Sequence, residues 1–346
     1  MKYERIRILN ETSIRIEHKG ELVFANENKV ATPPKVALKD VLKYYLKPCK
    51  NSKPSKALHF VLGDYSAYYT KPHLAWLGHS SAFFTFKNCC FLIDPLFTMY
   101  ASPFFLINRA FKHSKCFSSD DFKRLDILVI SHSHYDHLDK KTVLALKDKV
   151  KLIICPLNLS IYLKKWGIDE AKIVELDWWQ GLVFKLDDNA KLKIISTPSQ
   201  HSSSRGDGIN KTLWSSFVFE FIDSNSSKRV FWSADGGYYT HFKKIFSVFK
   251  DFDLLCLESA QYNEAWRYSH SFLDEIVKQA QDLGAKNVMS IHWGRFMAGS
   301  HAYNEPICFL YDKFKELNIP YITPKMGELF EIKSSYDENL KQRWFV

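Results

Sequence analysis

With 346 residues, 46% of them hydrophobic and 25% charged, the chain has the length and composition of a globular protein with a substantial core, which excludes a fibrous or disordered polypeptide. Its 48 Lys and Arg against 38 Asp and Glu leave a net charge of +10, scattered rather than gathered into a basic tail. That balance favours anionic small molecules or lipids as partners and disfavours nucleic acid.

The first 72 residues read as an N-terminal extension. A hairpin is expected around "IRIEHKGELVFAN", a short amphipathic helix in "ALKDVLKYYL", and a polar connector in "KPCKNSKPSK". This stretch is too thin in apolar residues to fold alone and is expected to pack on a main domain spanning 73–346. Its start lacks the apolar core of a signal peptide, and no later run approaches the roughly 18 apolar residues of a membrane span. Seven cysteines without a Cys-x-x-Cys pair, several in apolar runs such as "CCFLI", suit a reducing compartment. The expected location is cytoplasmic.

From His73 onward, "HLAWLG", "SAFFTF" and "CCFLIDP" read as antiparallel strands, and "DILVI" as a buried one. The segment Thr98 to Lys115 mixes apolar and basic residues, as expected of a loop over the core or a surface leaning on an anionic membrane. Helices are expected in "DKKTVLALKDKV", "NLSIYLKKWG", "SFLDEIVKQAQDLGA" and "PICFLYDKFKELN". Strands are expected in "KLIICP", "LKIISTP", "SSFVFEFI", "RVFWSAD", "DLLCLES", "NVMSIHWG" and "GELFEI". Strands and helices in both halves imply a layered α/β (α+β) architecture, with sheets inside and helices outside.

Directly after "DILVI" stands "SHSHYDHLD", Ser131 to Asp139. In an extended segment His132 and His134 project to one side, where two imidazoles can hold a metal. Asp136 and His137 follow as the chain turns and can face a second ion, while Asp139 reads as the cap of the next helix. Further ligands must come from elsewhere. His201, Asp235 and His292 each lie at or near the end of a strand-like run. Imidazole and carboxylate suit Zn²⁺, and Mn²⁺ or Fe²⁺ fit the same ligand types. Two divalent ions are therefore the expected cofactors.

The order His-x-His-x-Asp-His, His, Asp, His resembles the metallo-β-lactamase superfamily. "LAWLGHSSAFF", "FLIDPLF", "SQHSSSRGDGINKTLW", "SADGGY", "YSHSFLDEI" and "IHWGRF" further resemble its branch of N-acylphosphatidylethanolamine-hydrolysing phospholipases D. The likeness covers residues 73 to about 300. It implies a four-layer αββα sandwich in which His132, His134 and His201 hold one ion, Asp136, His137 and His292 the other, and Asp235 bridges them. It also implies that Asp94 binds backbone amides of the ligand loop and that His270 assists the leaving group or the substrate phosphate. His79 is expected to be structural, near the site. Gly236 stands where the family usually has Thr, removing a hydroxyl beside Asp235. Arg205 and Arg295 are expected to contact an anionic substrate.

The implied activity is hydrolysis of a phosphodiester in N-acylated phospholipids or related lipids. Hydroxide would form on the ions because bound water is acidified to a pKa of about 7. Asp136, Asp235 and His270 would be the catalytic residues. A lactone, another cyclic ester or a nucleic-acid phosphodiester is the alternative substrate, and a non-catalytic metal-binding protein the alternative class.

Overall fold

The computed structural model describes residues 1–29, 49–102, 108–112, 114, 117–206, 208–224, 226–284, 286–297 and 299–346. The helix expected over 37–46 lies outside them, as does the middle of the segment 98–115.

Two seven-stranded sheets form the body. The first runs, edge to edge, β16 (Leu329–Glu331), β4 (Tyr69–Trp76), β5 (Ala82–Lys87), β6 (Cys89–Ile93), β7 (Ile127–Val129), β8 (Leu152–Pro156) and β9 (Ile173–Leu176). The second runs β1 (Glu4–Arg7), β10 (Gln180–Lys185), β11 (Lys191–Thr197), β12 (Ser216–Asp223), β13 (Ser226–Trp232), β14 (Leu254–Glu258) and β15 (Val288–Ile291). A separate hairpin pairs β2 (Ile14–His18) with β3 (Glu21–Ala25). Its turn residues Lys19 and Gly20 both have positive φ, 52° and 79°, as a tight hairpin turn of matching twist requires.

Each sheet begins antiparallel and ends parallel. In the first, β4, β5 and β6 form a meander and β6 to β9 run parallel. In the second, β10 to β13 are antiparallel and β13 to β15 parallel. Parallel neighbours need crossovers, which carry α1 (Lys140–Leu146), α2 (Ser160–Lys165), α3 (His241–Phe249) and α4 (Leu273–Asp282). A last helix, α5 (Glu305–Glu316), lies beside α4.

Central strands such as "CCFLI" and "LIICP" are buried along their whole length, so their apolar runs do not alternate. The sheets meet through aromatic rings: Phe84 and Phe91 each lie 5.0 Å from Phe219, and Phe84 lies 6.0 Å from Trp232. Burying one such ring contributes about 2 kcal/mol. This is the sandwich that the resemblance implied.

The N-terminal segment is woven into the body. β1 completes the edge of the second sheet against β10, and β4 runs straight through residue 72. Asp139 caps α1 by accepting from the Thr142 N–H. None of the six described cysteines is in a disulfide. Among the described residues no helix is long and apolar enough to cross a membrane.

Candidate metal centre

Parallel strands end on the same side of a sheet, and here the chemistry follows those ends. Asp94 comes directly after β6, the His132 to His137 loop shortly after β7, and His201 after β11. Asp235 follows β13, Glu258 is the last residue of β14, and His292 comes directly after β15. Four of the residues around this edge, His79, Asp94, Ala234 and His292, have φ between 43° and 66°. Such left-handed backbone is costly for side chains larger than glycine and clusters where geometry serves a site.

Asp94 is fully buried and fastens the ligand loop. One carboxylate oxygen accepts the Ser131 N–H at 2.7 Å; the other accepts the Ser131 hydroxyl at 2.5 Å and faces His137 Nδ1 at 2.8 Å. That contact leaves His137 Nε2 to face inward.

Two groups of donors result. In the first, His134 Nδ1 lies 3.0 Å from His132 Nε2 and 3.1 Å from His201 Nε2. In the second, His79, Asp136, His137 and His292 bring their donor atoms within 4.8 Å of one another. Asp235 Oδ2 stands between the groups, 3.9 Å from His132 and His201 Nε2, 3.1 Å from His137 Nε2 and 3.2 Å from His292 Nε2. His79 is thus a site residue, its Nε2 3.0 Å from Asp136 Oδ2 and its ring 4.0 Å from that of His292.

These donors fit divalent ions. His137 Nε2, His292 Nε2 and Asp235 Oδ1 are buried without a hydrogen bond, an arrangement that costs free energy unless something else engages them. Burial pushes the His132 and His201 imidazoles well below their ordinary range, helped by neighbouring imidazoles, and His134 down to about 4. All three are neutral at pH 7, the form that ligates a metal. Burial alone would raise Asp136 and Asp235, yet the facing imidazoles hold both well below the carboxylate range. The same carboxylates overcome the burial of His292 and lift it to about 10, and they raise His137 too. Ionised carboxylates that pull protons onto adjoining imidazoles mark a centre that demands positive charge.

Residues outside the ligand pattern hold it in place. Asn26, at the end of the β2–β3 hairpin and fully buried, accepts the His201 N–H and donates to the His201 carbonyl, both at 2.9 Å. The N-terminal segment therefore grips a ligand loop. The space beside Gly236 is filled by Ser199, whose hydroxyl donates to the Asp235 carbonyl at 2.7 Å; a Cβ on Gly236 would meet Ser199 Oγ at 2.3 Å. The hydroxyl missing from position 236 is supplied by the facing loop. His270 lies beside the cluster, its ring 5.3 Å from His201, with Nδ1 3.0 Å from the buried Glu258 carboxylate. Asn26 and Glu258 had no signal in the sequence, each being a single polar residue far from the histidine motif, whereas Ser199 opens the "SQHSSSRGDGINKTLW" stretch two residues before His201.

The two arginines part company. Arg205 sits at the rim, its guanidinium 4.2 Å from the Tyr135 ring centroid and donating to the Ser133 carbonyl at 3.0 Å. Arg295 contradicts the expected anion clamp. It is wholly buried, and its guanidinium donates to the carbonyls of Leu96 and, at 2.8 Å, Thr98. The turn after β15 folds this side chain inward, where it ties the Asp94 loop to the His292 loop.

A family model described as a beta-lactamase superfamily domain matches residues 90–293. An uncharacterised protein of Mycobacterium tuberculosis is 32% identical over 259 residues, 74% of this chain and 67% of that protein. The N-acyl-phosphatidylethanolamine-hydrolyzing phospholipase D 1 of Caenorhabditis elegans is 30% identical over 281 residues, 74% of each chain. Among solved structures, a metallo hydrolase from Ignicoccus hospitalis superposes with a TM-score of 0.54 at 18% identity, over 76% of this chain and all of that one. With its sandwich fold and a His/Asp cluster at the strand ends, this chain belongs to the metallo-β-lactamase superfamily of metal-dependent hydrolases.

Proposed function

We propose that the protein is a two-metal phosphodiesterase acting on N-acylated phospholipids or related lipid phosphodiesters. The observation that carries this reading is Asp235, placed between two donor groups and within 3.9 Å of both. His132, His134 and His201 would hold one ion and Asp136, His137 and His292 the other, with Asp235 shared. Bound divalent ions supply Lewis acidity and bring the pKa of water to about 7.

The chain's own residues have separate tasks. Asp94 fixes His137 through Nδ1, and His79 orients the Asp136 carboxylate. Glu258 holds His270 by Nδ1, so Nε2 is the atom through which that imidazole passes a proton to the leaving oxygen. Two ions outweigh the two carboxylates, which gives the centre a positive charge suited to a phosphodiester anion. The Caenorhabditis relative supports the lipid substrate. Exposed Phe60, Val61 and Leu62, with exposed Lys53 and Lys56 nearby in the chain, support peripheral contact with an anionic membrane.

Release of N-acylethanolamine from N-acylphosphatidylethanolamine vesicles tests the reading. The wild-type protein is expected to release it and Asp235→Asn to lose the activity; turnover of lactones alone would replace the phosphodiester assignment.

A further inference from the structure

A second basic feature adjoins the ligand loop. Tyr135, between His134 and Asp136, forms part of the wall of a cavity of about 310 Å³, with Arg205, Lys140, Lys141, Tyr100 and Asp139 around it. That is within the size range of small-molecule sites, with room for a phosphate and a short carbon skeleton.

The charge in this cavity is unbalanced. Among the described residues of its lining, Asp139 is the one carboxylate against three cations, and its oxygen is engaged by the Thr142 hydroxyl at 2.5 Å as the cap of α1. Among the described residues none of the three cations forms an ion pair. Arg205 is flanked by aromatic rings, its guanidinium 4.2 Å from the Tyr135 ring, 5.0 Å from Trp166 and 5.7 Å from Tyr162, with Asp139 and Asp136 acting on it only through space. Lys140 lies 5.9 Å from the same Trp166 ring. Lys140 and Lys141 are also the first two residues of α1, where the helix dipole disfavours cations. A local rule broken without a compensating partner is what a binding function leaves behind.

We propose that this cavity receives a second anionic group of the substrate, a phosphate monoester in chemistry, while the scissile ester lies at the metal centre; the assignment of the scissile ester rests on the phosphodiesterase reading above. Arg205 supplies a fixed, planar donor fork, and Lys140 and Lys141 supply mobile charge. Among lipid phosphodiesters, those bearing a further phosphate close to the bond that is cut are thereby favoured over N-acylphosphatidylethanolamine, which has none.

Calorimetric titration of the metal-loaded protein with glycerol 3-phosphate tests this. Replacing both lysines, Lys140→Gln with Lys141→Gln, is expected to weaken binding about tenfold, and the pair Lys140→Arg with Lys141→Arg to restore it. Equal affinity in the wild type and the glutamine variant overturns the proposal. A parallel titration with monomeric lysophosphatidic acid separates the sources: tighter binding assigns a lipid phosphate, equal binding a soluble one. Turnover of bis-p-nitrophenyl phosphate by the wild type is scored independently. Its absence, with the lysine effect intact, would remove the phosphodiesterase reading and leave the anion site standing.

Discussion

Gly236 shows how one atom governs the centre. Ser199 Oγ occupies the place a Cβ would take and supports the backbone of Asp235. Gly236→Thr is expected to lower metal affinity by about 10- to 100-fold, as loss of a group supporting a ligand does. Adding Ser199→Ala makes room for the new side chain and restores its hydroxyl, so the double variant should recover most of that affinity in a chelator competition assay. Unchanged metal affinity in Ser199→Ala alone would mean that Ser199 does not position Asp235. A second residue-scale effect lies away from the metals. His241 is buried at the start of α3, and burial pushes its pKa to about 3. The unfolded chain takes up this proton near pH 6.5 while the folded one refuses it, so stability is complete above that pH and lost as pH falls. The loss is about 1.4 kcal/mol for each unit between pH 6.5 and the folded-state value of about 3. Urea unfolding at pH 7 and pH 5 should show a smaller acid loss in His241→Phe than in the wild type.

At the scale of elements, the β2–β3 hairpin does more than cover the body, because Asn26 holds His201 by both backbone groups. Asn26→Ala should weaken metal binding about 10- to 100-fold. Asn26→Asp, which still accepts the N–H, should fall between the two, and the Co²⁺ absorption spectrum of each variant should shift. Unchanged affinity and spectrum in Asn26→Ala would reduce the hairpin to packing. Most strands were legible in the sequence because their apolar runs are short and punctuated, "CCFLI" and "DILVI" being examples. α3 was not, since "HFKKIFSVF" is rich in aromatic and β-branched residues that favour strands. Its Phe242, Ile245 and Phe249 nevertheless repeat at helical spacing and are buried. β10, "QGLVFK", is short, carries a glycine and is held in place by β1 and β11, so tertiary pairing rather than local pattern defines it.

Across the whole molecule, two sheets of similar build place their parallel strand ends at one edge, and the candidate ligands read from the sequence converge there. That convergence was legible because each candidate ligand sits beside an apolar run. The supporting shell was not, because Asn26 lies 175 residues from His201 and nothing local connects them. Arg295 shows the opposite error, a charged residue beside the motif that the fold turns inward. Metal analysis of the purified protein alongside its hydrolytic rate is the decisive measurement for a two-ion centre bridged by Asp235. Two divalent ions per chain, a marked loss of metal in Asp235→Asn, and no hydrolysis after chelation until metal is restored are expected. Full hydrolysis by metal-free protein, or undiminished metal and activity in Asp235→Asn, would contradict it.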